Sequence, residues 1–313
     1  MKMRVLIAYD GSEGADAAIE DLPRAGLANG VDAIILSVAE LWLPPPPSSA
    51  GPAEGFPLYT PPGLESARER VAETIAKVRS LAEGASARVQ AIFPSWKVSP
   101  EVSTGSPAWE VINKADKWKP DLIIVGSQGR SALGRFFIGS VSQKILTEAR
   151  CSVRVGRNPT AAGGLPVRVL VGVDGSPGAD AAVREVAKRE WPSDIEIKVI
   201  TVEDPSVPLA LGSLNPQVTE WIGEADEGDR QWVRKMVEAS SEDLRAAGLN
   251  VSSLIKEGDA KKVLVDEAKR LGTDCIFVGS TGFSNRLERF LLGSVSAAVA
   301  NRAECSVEVV RNR

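Results

Sequence analysis

The chain has 313 residues, of which 43% are hydrophobic and 25% are charged, a balance typical of a globular protein large enough for two domains; it excludes a disordered or fibrous chain. Its net charge of −4 argues against a nucleic-acid-binding protein, and no apolar run approaches the roughly 18 residues that a membrane span requires. The chain has no histidine, which excludes Ser-His-Asp and Cys-His catalysis and zinc sites built on imidazole.

The first half alternates strand-like and helix-like segments. A run rich in proline and glycine at 41–63 can hold neither a helix interior nor a central strand, so we expect a long loop there. In chain order the predicted elements are a strand over 5–10, a helix over 13–27, a strand over 33–38, a helix over 67–81, a strand over 87–92, a helix over 107–118, a strand over 122–125, a helix over 140–149 and a strand over 153–155.

The second half repeats this order. Asp10-Gly11-Ser12 recurs as Asp174-Gly175-Ser176, and CSVRVGR from Cys151 recurs as CSVEVVR from Cys305. A repeat of this length predicts a duplicated domain, with domains at 1–157 and 167–313 joined by a linker at 158–166. The predicted strands are 169–173, 195–202, 251–255, 275–278 and 307–310, and the predicted helices are 179–189, a long helix to about 247, 262–270 and 294–300.

Strand–helix alternation with unbroken apolar strands indicates the α/β class. Parallel strands covered on both faces read as continuous apolar runs, so we predict two tandem open parallel five-stranded sheets with helices on both faces. The three cysteines lie at or inside apolar strands, and the N-terminus lacks the features of a signal peptide. We therefore expect reduced thiols and a cytoplasmic protein, without a membrane or nucleic-acid partner.

One stretch is written twice and carries the strongest functional signal. Residues 121–142 read DLIIVGSQGRSALGRFFIGSVS, and residues 274–296 read DCIFVGSTGFSNRLERFLLGSVS. In each copy glycines follow an apolar strand, and a Gly-Ser pair opens a helix. Backbone N–H groups at such a helix start suit a phosphate.

Simpler interpretations stay open for these residues. The glycines Gly126, Gly129 and Gly139 can serve tight turns alone, and Asp-Gly-Ser is also a helix N-cap with a turn. The loop matches neither the dinucleotide pattern nor the P-loop, because Ser140 stands where the P-loop needs lysine.

The conjunction of these features resembles the universal stress proteins in their tandem form. The family pattern is Gly, two residues, Gly, nine residues, Gly and then Ser or Thr. The first half fits it, and the second half has one extra residue between Gly282 and Gly293. The resemblance implies the strand order 3-2-1-4-5, an adenine nucleotide as ligand, and pairing of domains through their last strands.

The resemblance also implies a role for each matching residue. The aspartate and the valine at the end of the second strand would lie against adenine, the fourth-strand Val-Gly pair against ribose, and the later glycines and serine against the phosphates, with ATP and a divalent cation such as Mg or Mn. The implied nucleotide-binding residues are Asp10, Val38, Val125, Gly126, Gly129, Gly139 and Ser140 in the first half, and Asp174, Val202, Val278, Gly279, Gly282, Gly293 and Ser294 in the second.

Three functional hypotheses follow. The first is an ATP-binding stress-response protein that acts as a nucleotide-dependent regulatory or interaction module, with a homodimer of tandem chains expected by analogy. The second is a slow ATPase or autophosphorylating enzyme in which Asp10 holds the metal or orients water. The third is a nucleotide-free structural scaffold.

Overall fold

The computed structural model describes residues 2–41, 64–129, 138–158, 166–203, 216–280 and 292–312, with backbone alone for 64–66 and 216–230. Residues 42–63 of the proline-rich run, residues 159–165 of the linker and Gly282 lie outside these ranges. Across the described ranges, no helix combines the length and the apolar character that crossing a bilayer requires.

Strands and helices alternate through each half. The first half contains β1 (Arg4–Ala8), α1 (Glu13–Glu20), a short 3-10 turn (Leu22–Arg24), β2 (Asp32–Ala39), α2 (Leu64–Ile92), β3 (Lys97–Thr104), α3 (Pro107–Trp118), β4 (Leu122–Gly126), α4 (Ser140–Glu148) and β5 (Ser152–Gly156). The second half contains β6 (Arg168–Gly172), α5 (Pro177–Lys188), β7 (Glu196–Glu203), α6 (Pro216–Ala246), β8 (Val251–Glu257), α7 (Ala260–Leu271), β9 (Cys275–Gly279), α8 (Ser294–Arg302) and β10 (Ser306–Val310).

All ten strands belong to one sheet, in the order β3-β2-β1-β4-β5-β10-β9-β6-β7-β8. The α/β class and the order 3-2-1-4-5 are confirmed in each half. The two predicted five-stranded sheets are joined into one, because β5 and β10 pair antiparallel, with Arg154 opposite Glu308, and the expected pairing of the halves through their last strands is confirmed. Every other pairing among the described strands is parallel, so the seam between the halves is the one change of direction among them.

The predicted third strand at 87–92 is wrong. These residues end the long helix α2, whose buried side chains recur at helical spacing at Val78, Ala82, Ala85 and Val89. The strand lies further on, at Lys97–Thr104, and contains Pro100. An edge strand tolerates proline because one side of its backbone needs no ladder partner, and β3 is the outermost strand of the sheet.

The hydrophobic core has three parts. One face of the sheet carries a continuous core that runs across the seam and packs beneath α3, α4, α7 and α8. The opposite face carries two separate cores, one beneath α1 and α2 and the other beneath α5 and α6. The two halves therefore share one apolar layer.

Two glycine pairs bring helix and strand backbones into direct contact. A Cβ on Gly126 at the end of β4 would lie 2.4 Å from the carbonyl carbon of Gly14 in α1. A Cβ on Gly279 at the end of β9 would lie 2.3 Å from the carbonyl carbon of Gly178 in α5. Any side chain would push the helix start away from the strand end, so glycine is required at both positions by packing alone.

The three cysteines are free and buried. Burial raises the pKa of the Cys275 thiol well above its ordinary value, although the charge of Arg154 opposes the rise. Burial likewise raises the pKa of Cys305 to about 12, against the opposing charge of Arg157. These thiols are core side chains in the reduced form.

Gly126→Ala should destabilise the fold. The added methyl group collides with the backbone of α1, and such overpacking costs about 1–3 kcal/mol in the free energy of unfolding. The matched control is Gly84→Ala on the exposed face of α2, where a Cβ meets nothing within 4 Å and should stabilise the helix by about 0.5–1 kcal/mol. Urea denaturation measures both, and equal stability of the two variants would contradict the packing role.

The native thiols should resist Ellman's reagent near pH 8. The thiolate is the reacting form, and burial both hides these groups and disfavours their ionisation. After denaturation, three thiols per chain should react with the reagent. Fast reaction of the native protein would show that this core opens readily.

Candidate functional site

The first half has a cavity of about 720 Å³ at the carboxyl ends of β1, β2 and β4. This is where ligands bind in open α/β sheets, because the strand order reverses there. The seven residues predicted for the first half all line this one cavity: Asp10, Val38, Val125, Gly126, Gly129, Gly139 and Ser140.

The Asp10-Gly11-Ser12 turn forms one wall and starts α1. Ser12 is the N-cap, and its hydroxyl accepts a hydrogen bond from the Ala15 amide over 3.2 Å. Asp10 Oδ1 accepts from the Ser12 amide over 3.0 Å and lies 2.6 Å from the Ser12 hydroxyl. The turn is therefore a structural cap, and the second carboxylate oxygen, Oδ2, is the one that faces the glycine loop, 3.1 Å from where a Gly129 Cβ would stand.

The start of α4 forms the opposite wall. Gly139 is its N-cap, and the Gly139 amide donates to the Ser127 carbonyl over 2.7 Å. Within the described part of the chain, no side chain caps this helix start. Because the amides that follow Gly139, beginning at Ser140, have no intrahelical partners in the first turn, they are the donors available to an anion.

A serine that the sequence analysis missed fixes the direction of α4. The Ser142 hydroxyl donates to the Gly126 carbonyl over 2.7 Å, which ties the first turn of α4 to the end of β4. The second half repeats the contact from Ser296 to the Gly279 carbonyl over 2.5 Å. The signal was present in the sequence, since both copies read Gly-Ser-Val-Ser.

The remaining walls are largely apolar. Helix α2 contributes Thr74, Val78 and Leu81, which are three to four residues apart and lie along one face of the helix. Helix α3 contributes Pro107 and Val111. An apolar flank beside a polar helix start suits a ligand with a flat apolar end and a charged end.

Tyr9, which the sequence analysis also missed, is held beside the cavity by a small ionic group. Its hydroxyl donates to Asp16 over 2.8 Å, and Arg88 donates to the same carboxylate over 2.5 Å. Burial, and then the bond to Asp16, raise the pKa of Tyr9. Burial opposes ionisation of Asp16, but Arg88 and Tyr9 outweigh it and lower the pKa of that carboxyl group.

The second half places its predicted residues at equivalent strand ends. Asp174 follows β6, Val202 lies near the end of β7, and Val278 and Gly279 end β9; Gly293 is the N-cap of α8, which starts at Ser294. The Gly293 amide donates to the Ser280 carbonyl over 2.6 Å, as in the first half. Ser176 is the N-cap of α5, and Asp174 accepts from its amide over 2.9 Å.

The second crevice differs from the first at the Asp174–Ser176 turn. Gly175 adopts φ +78°, and a Cβ there would lie 2.7 Å from the indole ring of Trp232 on α6. Trp232 is 52% exposed, so about half of this residue remains open to solvent beside the turn. An indole therefore borders this crevice.

Another concavity of about 450 Å³ lies at the amino ends of β6 and β7. Its charged lining includes the pair Arg168 and Glu196, joined over 3.0 Å and each at least one-third exposed. It lies at the opposite ends of β6 and β7 from the predicted site residues of the second half, and its ion pair is ordinary for a protein surface.

The family model of the universal stress protein family matches the chain twice, over residues 1–157 and 167–311. A universal stress protein of Mycolicibacterium smegmatis is 26% identical over 314 residues, which covers 99% of this chain and 97% of that relative. A universal stress protein of Methanocaldococcus jannaschii is 30% identical over 152 residues, which covers 47% of this chain and 79% of the relative.

The fold agrees with this relationship. The crystal structure of a universal stress protein from Archaeoglobus fulgidus superimposes with a TM-score of 0.65 at 21% identity, covering 98% of each chain. Two matched segments, a relative similar from end to end and a shared architecture lead to one conclusion: the chain belongs to the universal stress protein family and contains two copies of its domain in tandem.

Proposed function

We propose that this protein binds ATP in the first-half cavity and acts as a nucleotide-dependent regulatory or interaction module in a stress response. The observation that carries the proposal is the convergence of seven predicted residues on one cavity between an uncapped helix start and an apolar flank. Its volume of about 720 Å³ lies within the range of about 300–1,000 Å³ typical of small-molecule sites.

The phosphates would lie at the start of α4. The partial positive charge of a helix N-terminus and its free amides favour an anion, and Gly129 leaves the facing loop without a side chain. The Gly139 amide already donates to the Ser127 carbonyl, so Gly139 contributes only the space that a side chain would otherwise fill. The amides from Ser140 onward would bind the phosphate.

The base would lie at the end of β2, against Val38 and the apolar face of α2. Val38 is half-buried, and its backbone stands at the point where the strand leaves the ladder with β1. Strand-end amide and carbonyl groups can read the edge of a base, while Val78 and Leu81 cover its face.

The residues present fit a divalent cation bound together with the nucleotide. Magnesium is held mainly by phosphate oxygens and waters, with one or two carboxylates from the protein. Asp10 lies beside the glycine loop and has Oδ2 turned towards it, so this side chain is the one that would hold Mg or Mn and neutralise phosphate charge.

The second half would bind a nucleotide through the equivalent residues, with Trp232 beside the Asp174–Ser176 turn as its distinguishing contact. The homodimer of tandem chains and the cytoplasmic location stay predictions. Since β5 and β10 pair with each other within the chain, a homodimer would need another surface.

The first test is equilibrium dialysis of the full chain against ATP with millimolar magnesium. We expect at least one nucleotide to be retained per chain, and less when magnesium is omitted because the phosphate charge is then unscreened. Chains that retain no ATP at saturating concentration would exclude the proposal and favour the nucleotide-free scaffold.

The second test is Gly139→Val. A Cβ at this position stands 3.6 Å from the Gly129 amide nitrogen, in ordinary contact, so the fold tolerates it, but the two further methyl groups fill the space between loop and helix start. Loss of a charge-assisted hydrogen bond costs about 1.5–3 kcal/mol, so we expect ATP to bind about 10–100-fold more weakly in the first half.

Gly293→Val is the matched variant for the second half, and Gly84→Ala is the control that should leave ATP affinity unchanged. Isothermal titration calorimetry measures all three, with urea denaturation to verify folding. Wild-type affinity in a folded double variant, Gly139→Val with Gly293→Val, would show that phosphate binds elsewhere.

A further inference from the structure

We propose that the last strand of each half is a docking surface that accepts the other half and rejects a second copy of the same half. One buried pair, Arg154 on β5 and Glu308 on β10, determines which half is accepted. The proposal goes beyond nucleotide binding and does not depend on it.

The two residues occupy the same position of the repeat. The matching cysteines Cys151 and Cys305 are 305 − 151 = 154 residues apart, and Arg154 and Glu308 are 308 − 154 = 154 residues apart. In the antiparallel ladder they also stand directly opposite each other. A pseudo-twofold axis therefore passes between them. Two like halves paired in this register would place arginine against arginine, or glutamate against glutamate.

Part of the seam obeys the twofold symmetry, although other contacts across it, such as that of Arg189 Nη1 with the Ala25 carbonyl over 2.8 Å, do not. Arg157 donates to the carbonyls of Ala300 and Cys305, over 2.6 and 3.1 Å. Its repeat partner Arg311 donates to the carbonyls of Leu146 and Cys151, over 2.5 and 3.3 Å. Each arginine thus binds carbonyls at or just beyond the end of the other half's helix, α8 or α4, where a positive charge is favourable. These contacts would form equally well between like halves, so they hold the seam together without selecting the partner.

The centre of the seam breaks the symmetry. Arg154 Nη1 lies 3.3 Å from Glu308 Oε2, and both side chains are fully buried. Arg154 Nε also donates to Asp21 Oδ2 over 2.6 Å, and Arg189 pairs with Glu308 from the other side. The buried charges therefore alternate in sign along Asp21, Arg154, Glu308 and Arg189.

Pairing of like halves would interrupt this alternation at its centre. Burial already opposes the charge on Glu308 and raises its pKa, against the opposing effect of Arg189 and Arg154. A second buried carboxylate in place of Arg154 would remove one of these compensating charges and add repulsion. Juxtaposed like charges at an interface strongly disfavour the wrong partner.

The test starts from the folded full chain with a protease site placed within 159–165. After cleavage the halves are held in mild urea so that they exchange partners, and native mass spectrometry weighs the three kinds of pair. For the wild-type protein we expect unlike pairs to exceed either like pair by about a hundredfold or more. A statistical mixture would overturn the proposal.

Two single substitutions make the test directional. Glu308→Gln removes the repulsion between second halves only, so pairs of two second halves should rise about tenfold or more while pairs of two first halves stay rare. Arg154→Gln should do the reverse. The proposal would be overturned if either substitution increased the other kind of like pair, both kinds or neither. If one variant does not refold, the other variant and the wild type still decide.

The matched control is Arg157→Gln with Arg311→Gln. This double variant removes the symmetric contacts, so the halves should exchange faster while unlike pairs remain dominant. A change of partner preference in this control would show that the selectivity lies outside the Arg154–Glu308 pair and would count against the proposal.

Discussion

The crevice in each half depends on a backbone-to-backbone contact between a strand end and a helix start. Gly126 against Gly14, and Gly279 against Gly178, allow α1 and α5 to begin directly over β4 and β9. A similar demand for glycine at the close packing of a helix on a strand is known from nucleotide-binding α/β folds. With this contact in place, the Asp-Gly-Ser turn, the glycine loop and the next helix start face one another across the strand ends.

The glycines of the repeated stretch look alike in the sequence, but the structure gives them different roles. Gly126 and Gly279 serve packing, since any Cβ would meet backbone atoms. At Gly139 a Cβ would find only ordinary contacts, so packing does not explain glycine there. A glycine that the fold does not require supports the proposed phosphate site, and the uncapped start of α4 favours an anion there.

Much of the fold could be predicted from the sequence, because continuous apolar runs and helical spacing are local signals. The third strand could not, since Pro100 argues against a strand and only the edge position of β3 makes it acceptable. The pairing of β5 with β10 is implied by the family resemblance, but no local pattern in the sequence encodes it or its antiparallel register.

The candidate site could likewise be predicted only in part from local sequence patterns. The seven residues that converge in the first half stand beside strand ends, which the alternation of elements predicts. The Ser142 anchor and the position of Tyr9 depend on contacts between distant segments. The bond from the Gly139 amide to the Ser127 carbonyl likewise joins two residues that no local pattern brings together.

The antiparallel seam determines where the two crevices lie on the molecule. Because chain direction reverses between β5 and β10, the two crevices open at opposite edges of the ten-stranded sheet. A small ligand bound in one crevice therefore cannot reach the other, and a partner protein at one edge would contact one crevice only. If both crevices bind nucleotide as proposed, the two bound nucleotides lie at opposite edges of the sheet, where two different partner proteins could contact them.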